Sequence, residues 1–136
     1  MKIVIDTNVI ASAIFFGGKP RQLIELLVGK ELNAYVTPDI VKEYYETAEY
    51  LQNKYKEKKV LIPLTQIVSA CQLIEGRTVV KVCRDPDDDK FLSCAIDAKC
   101  LYIVSGDKDL LSLGEYKGVE IMTVSDFFQH IWRKNS

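Results

Sequence analysis

A three-layer α/β/α sandwich around a central, about five-stranded parallel sheet is the fold class this sequence predicts, and three observations predict it. Short continuous apolar runs alternate with longer segments of helical period along the whole chain. Runs without polar alternation suit strands covered on both faces, and their alternation with helices marks βαβ units. The third observation is bulk: 136 residues, 48% of them hydrophobic, are enough for one domain with a real core.

The first strand is expected over 2–5, where Ile3-Val4-Ile5 ends at Asp6. A helix over 21–29 and a strand over 34–36 complete the first crossover. Thr37-Pro38 reads as a cap followed by proline at the first helical position, opening a helix over 39–58. Its buried stripe is Ile40, Val41, Tyr44, Tyr45, Ala48, Leu51 and Tyr55, recurring at three- and four-residue spacing. The end of that helix, Lys54-Tyr55-Lys56-Glu57-Lys58-Lys59, is a charge run that suits a solvated face or a small phosphate-attracting patch. A helix over 63–75 and a strand over 79–82 come next. A helix over 89–99 then buries Phe91, Leu92, Ala95 and Ile96. Strand 102–105, helix 107–113, strand 119–122 and a last helix over 125–133, capped by Ser125, complete the order. No linker, repeat or low-complexity tract divides the chain, so residues 1–136 read as a single domain.

Composition excludes little. Eighteen basic residues against 19 acidic give a net charge of -1, which neither demands nor forbids nucleic acid. Cys71, Cys83, Cys94 and Cys100 contain no CxxC pair and have only His130 to assist, which disfavours zinc and suits buried thiols in a reducing cytosol. The apolar N-terminal run is broken by Asp6 and Asn8, unlike a secretory leader, and no segment approaches the roughly 20 apolar residues of a membrane span. A soluble, cytoplasmic protein without a membrane partner is expected. Gly17-Gly18-Lys19-Pro20 lacks the spacing and the Ser/Thr of a nucleotide loop.

The positions of the acids carry more. Asp6 ends the first strand, at the carboxyl edge where open α/β folds hold their ligands. Arg84-Asp85-Pro86-Asp87-Asp88-Asp89-Lys90-Phe91-Leu92 follows the strand 79–82 with four Asp in five positions. Asp85-Pro86 makes a turn and one Asp caps the next helix, while Asp89 and Asp88 are both placed to point at the strand ends. Ser105-Gly106-Asp107-Lys108-Asp109 opens a helix after the strand 102–105, and Glu43 lies at the margin of the buried stripe near a helix start. Each acid taken singly has an adequate structural role. Together they would repel one another in a poorly solvated place, and a shared divalent cation is the simplest remedy.

These pieces, Val4-Ile5-Asp6-Thr7-Asn8-Val9, Glu43 after Thr37-Pro38, the 85–92 run and Val104-Ser105-Gly106-Asp107-Lys108-Asp109-Leu110, together resemble the PIN domain (PilT N-terminus) nucleases. The likeness is to the small toxin-like members of bacterial and archaeal toxin-antitoxin pairs. The resemblance implies that Asp6, Glu43, Asp89 and Asp107 form the family's acidic quartet and bind Mg²⁺ or Mn²⁺, with Asn8 and Ser105 supporting and Asp88 and Asp109 as further acids. Ser93 stands where the family more often has an acid. It implies a PIN-like fold, a metal-dependent endoribonuclease acting on the phosphodiester bonds of RNA, a cognate antitoxin protein and a homodimer. The alternative is a catalytically weak PIN-fold module that binds RNA or a protein partner. Tyr44, Tyr45 and Phe16 are conceivable stacking partners, although tyrosine at helical period is more often core.

Overall fold

Ile3, Val4 and Ile5 are all buried, as a strand covered on both faces requires, and they form the centre of the sheet in a computed structural model that describes residues 1–132. The elements are β1 (Lys2–Ile5), α1 (Thr7–Phe15), α2 (Gly18–Val28), β2 (Asn33–Val36), α3 (Pro38–Lys54), α4 (Leu64–Ala70), β3 (Gln72–Leu73), α5 (Asp89–Ala98), β4 (Tyr102–Val104), α6 (Lys108–Leu113), β5 (Glu115–Tyr116), β6 (Val119–Met122) and α7 (Val124–Asp126). The strands lie in the order β3-β2-β1-β4-β6-β5. All pairings are parallel except β5 with β6, a hairpin whose turn places Lys117 and Gly118 at positive φ, as two-residue hairpin turns require. Helices flank this mostly parallel sheet, and Phe91, Leu92, Cys94 and Ala95 of α5 are fully buried where α5 packs on β1, β2 and β4.

The topology fixes where a ligand would go. From β1 the chain moves outward to β2 and β3, then returns to the other side of β1 as β4. Ile5 pairs with Val104, so the carboxyl ends of β1 and β4 diverge into the crevice of a strand-order switch.

Several sequence expectations need correction. Among the described residues the sheet has six strands, and 79–82 is not one of them. The third strand is instead Gln72–Leu73, inside the helix expected over 63–75, which stops at Ala70. The cause is where the amides of that segment go. Arg77 and Thr78 donate to Asp97, at 2.7 and 3.1 Å, and Val82 and Cys83 donate to Asp89, at 3.1 and 2.8 Å. Donors bound to carboxylates are not free for a ladder, and Val79 stays 78% exposed.

The missed element is α1. It begins directly after Asp6, and seven of its nine residues are buried, so the broken apolar run is a strand followed at once by a helix. Helix α3 ends at Lys54 rather than at 58, and Tyr45 of the expected stripe is 41% exposed. Thr123, not Ser125, caps α7 by accepting from the Asp126 amide; Ser125 accepts from Lys19 Nζ at 2.9 Å. A π-helical segment, Phe127–Trp132, follows α7, and position 133 of the expected last helix lies outside the described residues. Cys94 and Cys100 are buried, Cys71 and Cys83 half-buried, and all four are free thiols. Burial pushes Cys71, Cys83 and Cys94 up to about 12 and Cys100 up to about 11. Among the described residues no helix is long and apolar enough to cross a membrane.

Candidate active site

Asp6 is set by the strand it ends. Its amide donates to the Val104 carbonyl at 2.9 Å, continuing the β1–β4 ladder, and its own carbonyl accepts from Val9 and Ile10 as α1 begins. Its carboxylate takes no part in capping that helix. Oδ2 accepts instead from Ser105 Oγ at 2.7 Å, and Ser105, fully buried, accepts in turn from the Asp107 amide at 2.9 Å. Asp107 caps α6 by accepting from the Leu110 amide at 3.1 Å. One buried hydroxyl thus fixes two acids relative to each other. Burial pushes the Asp6 carboxyl up to about 6; the bond from Ser105 opposes this, while repulsion from Asp107 and Glu43 adds to it.

Glu43 arrives from α3 and is held from two sides. The Thr7 hydroxyl donates to Oε2, and Lys90 Nζ lies 2.6 Å from Oε1. The same ammonium lies 3.0 Å from Asp87 Oδ1, and the Lys90 side chain is only 13% exposed. Burial lowers the Lys90 pKa, but its bonds to Glu43 and Asp87 outweigh that, so it remains a charged, half-buried cation. A basic side chain thus already meets two of the gathered acids.

The acidic run splits in two directions. Asp85 accepts from the Asp87 amide at 3.0 Å and closes the single 3₁₀ turn Pro86–Asp88. Asp88 faces the other acids; burial first, then repulsion from Asp107, Asp6, Asp85 and Glu43, pushes its carboxyl up to about 7. Asp89 turns away. Its Oδ1 takes the Val82 and Cys83 amides, which hold its carboxyl below the usual range despite burial. Neighbours at a helix start point about 100° apart, so adjacent acids serve different places.

Asp6, Glu43, Asp88 and Asp107 line one cleft of about 280 Å³, together with Asp85, Asp87 and Asp109. Asp89 is not on its wall. Asn8 is exposed on the wall, whereas Ser105 holds Asp6 from behind. Thr7, Thr47 and Lys90 were missed by sequence reasoning; for Thr7 and Lys90 the available signal is adjacency, one beside Asp6 and the other closing the acidic run. Among the described residues no three Asp, Glu, His or Cys side chains are drawn together into a closed cation cage. The donor chemistry nevertheless fits a hard divalent ion: the acidic donors offer only oxygen, and two of the carboxyls are pushed up to about 6 and about 7 in a way that a nearby cation reverses.

Comparison with known proteins finds a family and a relative. A family model described as PIN domain matches residues 2–109, a span that contains every acid of the cleft. The chain is also similar to the uncharacterized protein MJ1680 of Methanocaldococcus jannaschii, with 38% identity over 117 residues that cover 83% of this chain and 75% of the relative.

Proposed function

From the premise that the chain belongs to the PIN domain family, a family of nucleases, we propose that it is a divalent-metal-dependent endoribonuclease and the toxin of a toxin-antitoxin pair. The observation that carries this reading is the meeting of Asp6, Glu43, Asp88 and Asp107 on one cleft at the strand-order switch. In this reading those four hold Mg²⁺ or Mn²⁺, with Asp88 in the role the sequence assigns to Asp89. When bound, such an ion supplies Lewis acidity to the phosphate and a water acidic enough to attack at neutral pH.

The chain's own residues set the rest. Ser105 orients Asp6, while Thr7 and Lys90 hold the two oxygens of Glu43. The acidic wall repels a phosphodiester until its charge is neutralised, which makes cleavage conditional on the metal. Water attacking phosphorus directly expels the 3′ oxygen and leaves a 5′-phosphate. The route through the 2′-hydroxyl normally uses an acid and a base, and the sole histidine, His130, lies in the segment after α7.

The test is cleavage of single-stranded RNA by the purified protein with Mg²⁺ or Mn²⁺, with EDTA, and with Asp6→Asn. EDTA and the substitution should each abolish it, and the products should carry 5′-phosphate and 3′-hydroxyl ends. Cyclic 2′,3′-phosphate ends, or cutting that survives EDTA, would overturn the mechanism. A second reading, a PIN-fold module that binds without cutting, is favoured by one observation, the engagement of Glu43 by Lys90. Absence of metal-stimulated cleavage with RNA binding retained would select it. The homodimer, the antitoxin, a cytoplasmic location and the working of residues 1–136 as one domain belong to the same proposal. Light scattering at micromolar concentration tests the homodimer.

A further inference from the structure

Helices α1 and α3 both lead away from the cleft and end together. At one end the Thr7 hydroxyl, first in α1, bonds Glu43, near the start of α3. At the other end Phe16, just past α1, meets Tyr55, just past α3, edge to face with ring centroids 5.9 Å apart. Between them Glu43, Thr47, Tyr50 and Lys54 recur at four-, three- and four-residue spacing, which puts them on one face of α3. Eleven residues of helix span about 16 Å, the reach of a few nucleotides. Glu43 and Thr47 line the acidic cleft, and the face then changes character.

Its far part is a chain of alternating cations and rings. Lys54 Nζ lies 5.9 Å from the Tyr50 ring and 5.4 Å from that of Tyr55, and Lys58 Nζ lies 4.6 Å from the Phe16 ring. Tyr50 is 62% and Phe16 52% exposed, so these rings are not core. Four of the six residues from Lys54 to Lys59 are lysines and one is acidic, and the segment lines an open cavity of about 730 Å³. Rings that bases can stack on, interleaved with ammonium groups at backbone spacing, are what unpaired nucleic acid binds. Four lysines in this segment favour a polyanion over an apolar protein segment, and a duplex would leave the rings without a base to stack on.

We propose that this ridge is a nucleic-acid subsite of the chain, gripping the single-stranded RNA a few nucleotides from the phosphodiester held in the cleft. The proposal rests on the nuclease reading for its substrate class, but the ridge grips without a cation because its own charge is positive. The strand is drawn to the ridge, and the acidic cleft admits its backbone only once neutralised.

The experiment is fluorescence anisotropy of a labelled oligouridylate with the full chain in EDTA, where cleavage is silent. Wild type should bind in EDTA, and Asp6→Asn, which removes a repelling charge from the cleft wall, should bind at least as tightly. Tyr50→Ala and Phe16→Ala, both at exposed positions, should each weaken binding by about fivefold or more, the smaller end of what one stacked base contributes. Lys54→Gln with Lys58→Gln should lower the slope of log affinity against log salt by about 1.4, or 0.7 per lost phosphate contact. Circular dichroism melts confirm that each variant is folded. Binding unchanged in all of these variants would overturn the ridge, as would equal affinity for duplex RNA or displacement of the RNA only by an acidic peptide. Loss of cleavage in Asp6→Asn with EDTA binding intact leaves the ridge standing whatever becomes of the catalytic reading.

Discussion

Asp6 and Asp107 on one side, and the run from Asp85 to Asp89 on the other, show two ways of supplying a carboxylate to the same cleft. The first pair follow central strands whose ladders are complete, and a single buried hydroxyl ties them together. The run stands on one 3₁₀ turn after a segment without sheet bonds, so its backbone is shaped by its own carboxylates. A strand exit has one geometry, and the residue placed there inherits it. A turn must spend acids on building itself, and only the remainder faces outward.

Substitutions should divide along that line. The largest effect is expected for Asp6→Asn, a loss of cleavage of roughly 100-fold or more, beyond the 10- to 100-fold typical of residues behind the ligands, together with loss of the Mg²⁺-induced rise in melting temperature. Next, Asp88→Asn and Asp89→Ala should fail differently. Asp88→Asn should weaken Mg²⁺ binding in calorimetry while leaving the metal-free melting temperature intact or raised. Asp89→Ala should strip the Val82 and Cys83 amides of their acceptor and cost about 1–3 kcal/mol in denaturant unfolding. Equal metal affinity in Asp88→Asn and wild type would return Asp89 to the metal set. Lys90→Met, intermediate in size, should lower cleavage about 10-fold and make folding more dependent on Mg²⁺, because Glu43 and Asp87 then repel without a counterion.

The smallest expected effect sharpens the contrast through pH. Asp89 and Asp97 have depressed folded values, so the stability they contribute is present above the ordinary carboxylate value of 3.8 and is lost as pH falls through their folded values. Asp6 and Asp88 have raised values. The folded state then binds more protons than the unfolded one, so in metal-free protein stability declines as pH rises from 3.8 through about 6 for Asp6 and about 7 for Asp88. Metal-free melting temperature should therefore peak between the two limbs, and saturating Mg²⁺ should flatten only the neutral one. A neutral limb unaffected by Mg²⁺ would separate these acids from the metal.

Legibility in the sequence followed the same division. The strands β1, β4 and β6 were readable because a short, unbroken apolar run between helices suits little besides a strand covered on both faces, and Asp6 and Asp107 came with them. The choice between Asp88 and Asp89 was not, because which acid caps amides depends on where residues 77–83 run, and that path is set by contacts between residues far apart in sequence. The strand expected over 79–82 failed for that reason too: its apolar residues were visible, but the carboxylates that take its amides were not. The burial of Lys90 is not legible either, since a buried cation and a solvated one look identical in a sequence.

The free thiols have a practical side. With values of about 12 and about 11, held up chiefly by burial, they are almost wholly protonated at neutral pH, on the order of one thiolate in 10⁴ or fewer. Maleimide and iodoacetamide react with the thiolate, so the native cysteines are slow targets and need not be removed. A single new cysteine at an exposed position of α3, for example Glu46→Cys, would take a fluorophore almost alone. Such a probe, midway between cleft and ridge, could report in real time when a strand lies along the helix and when its cut end departs.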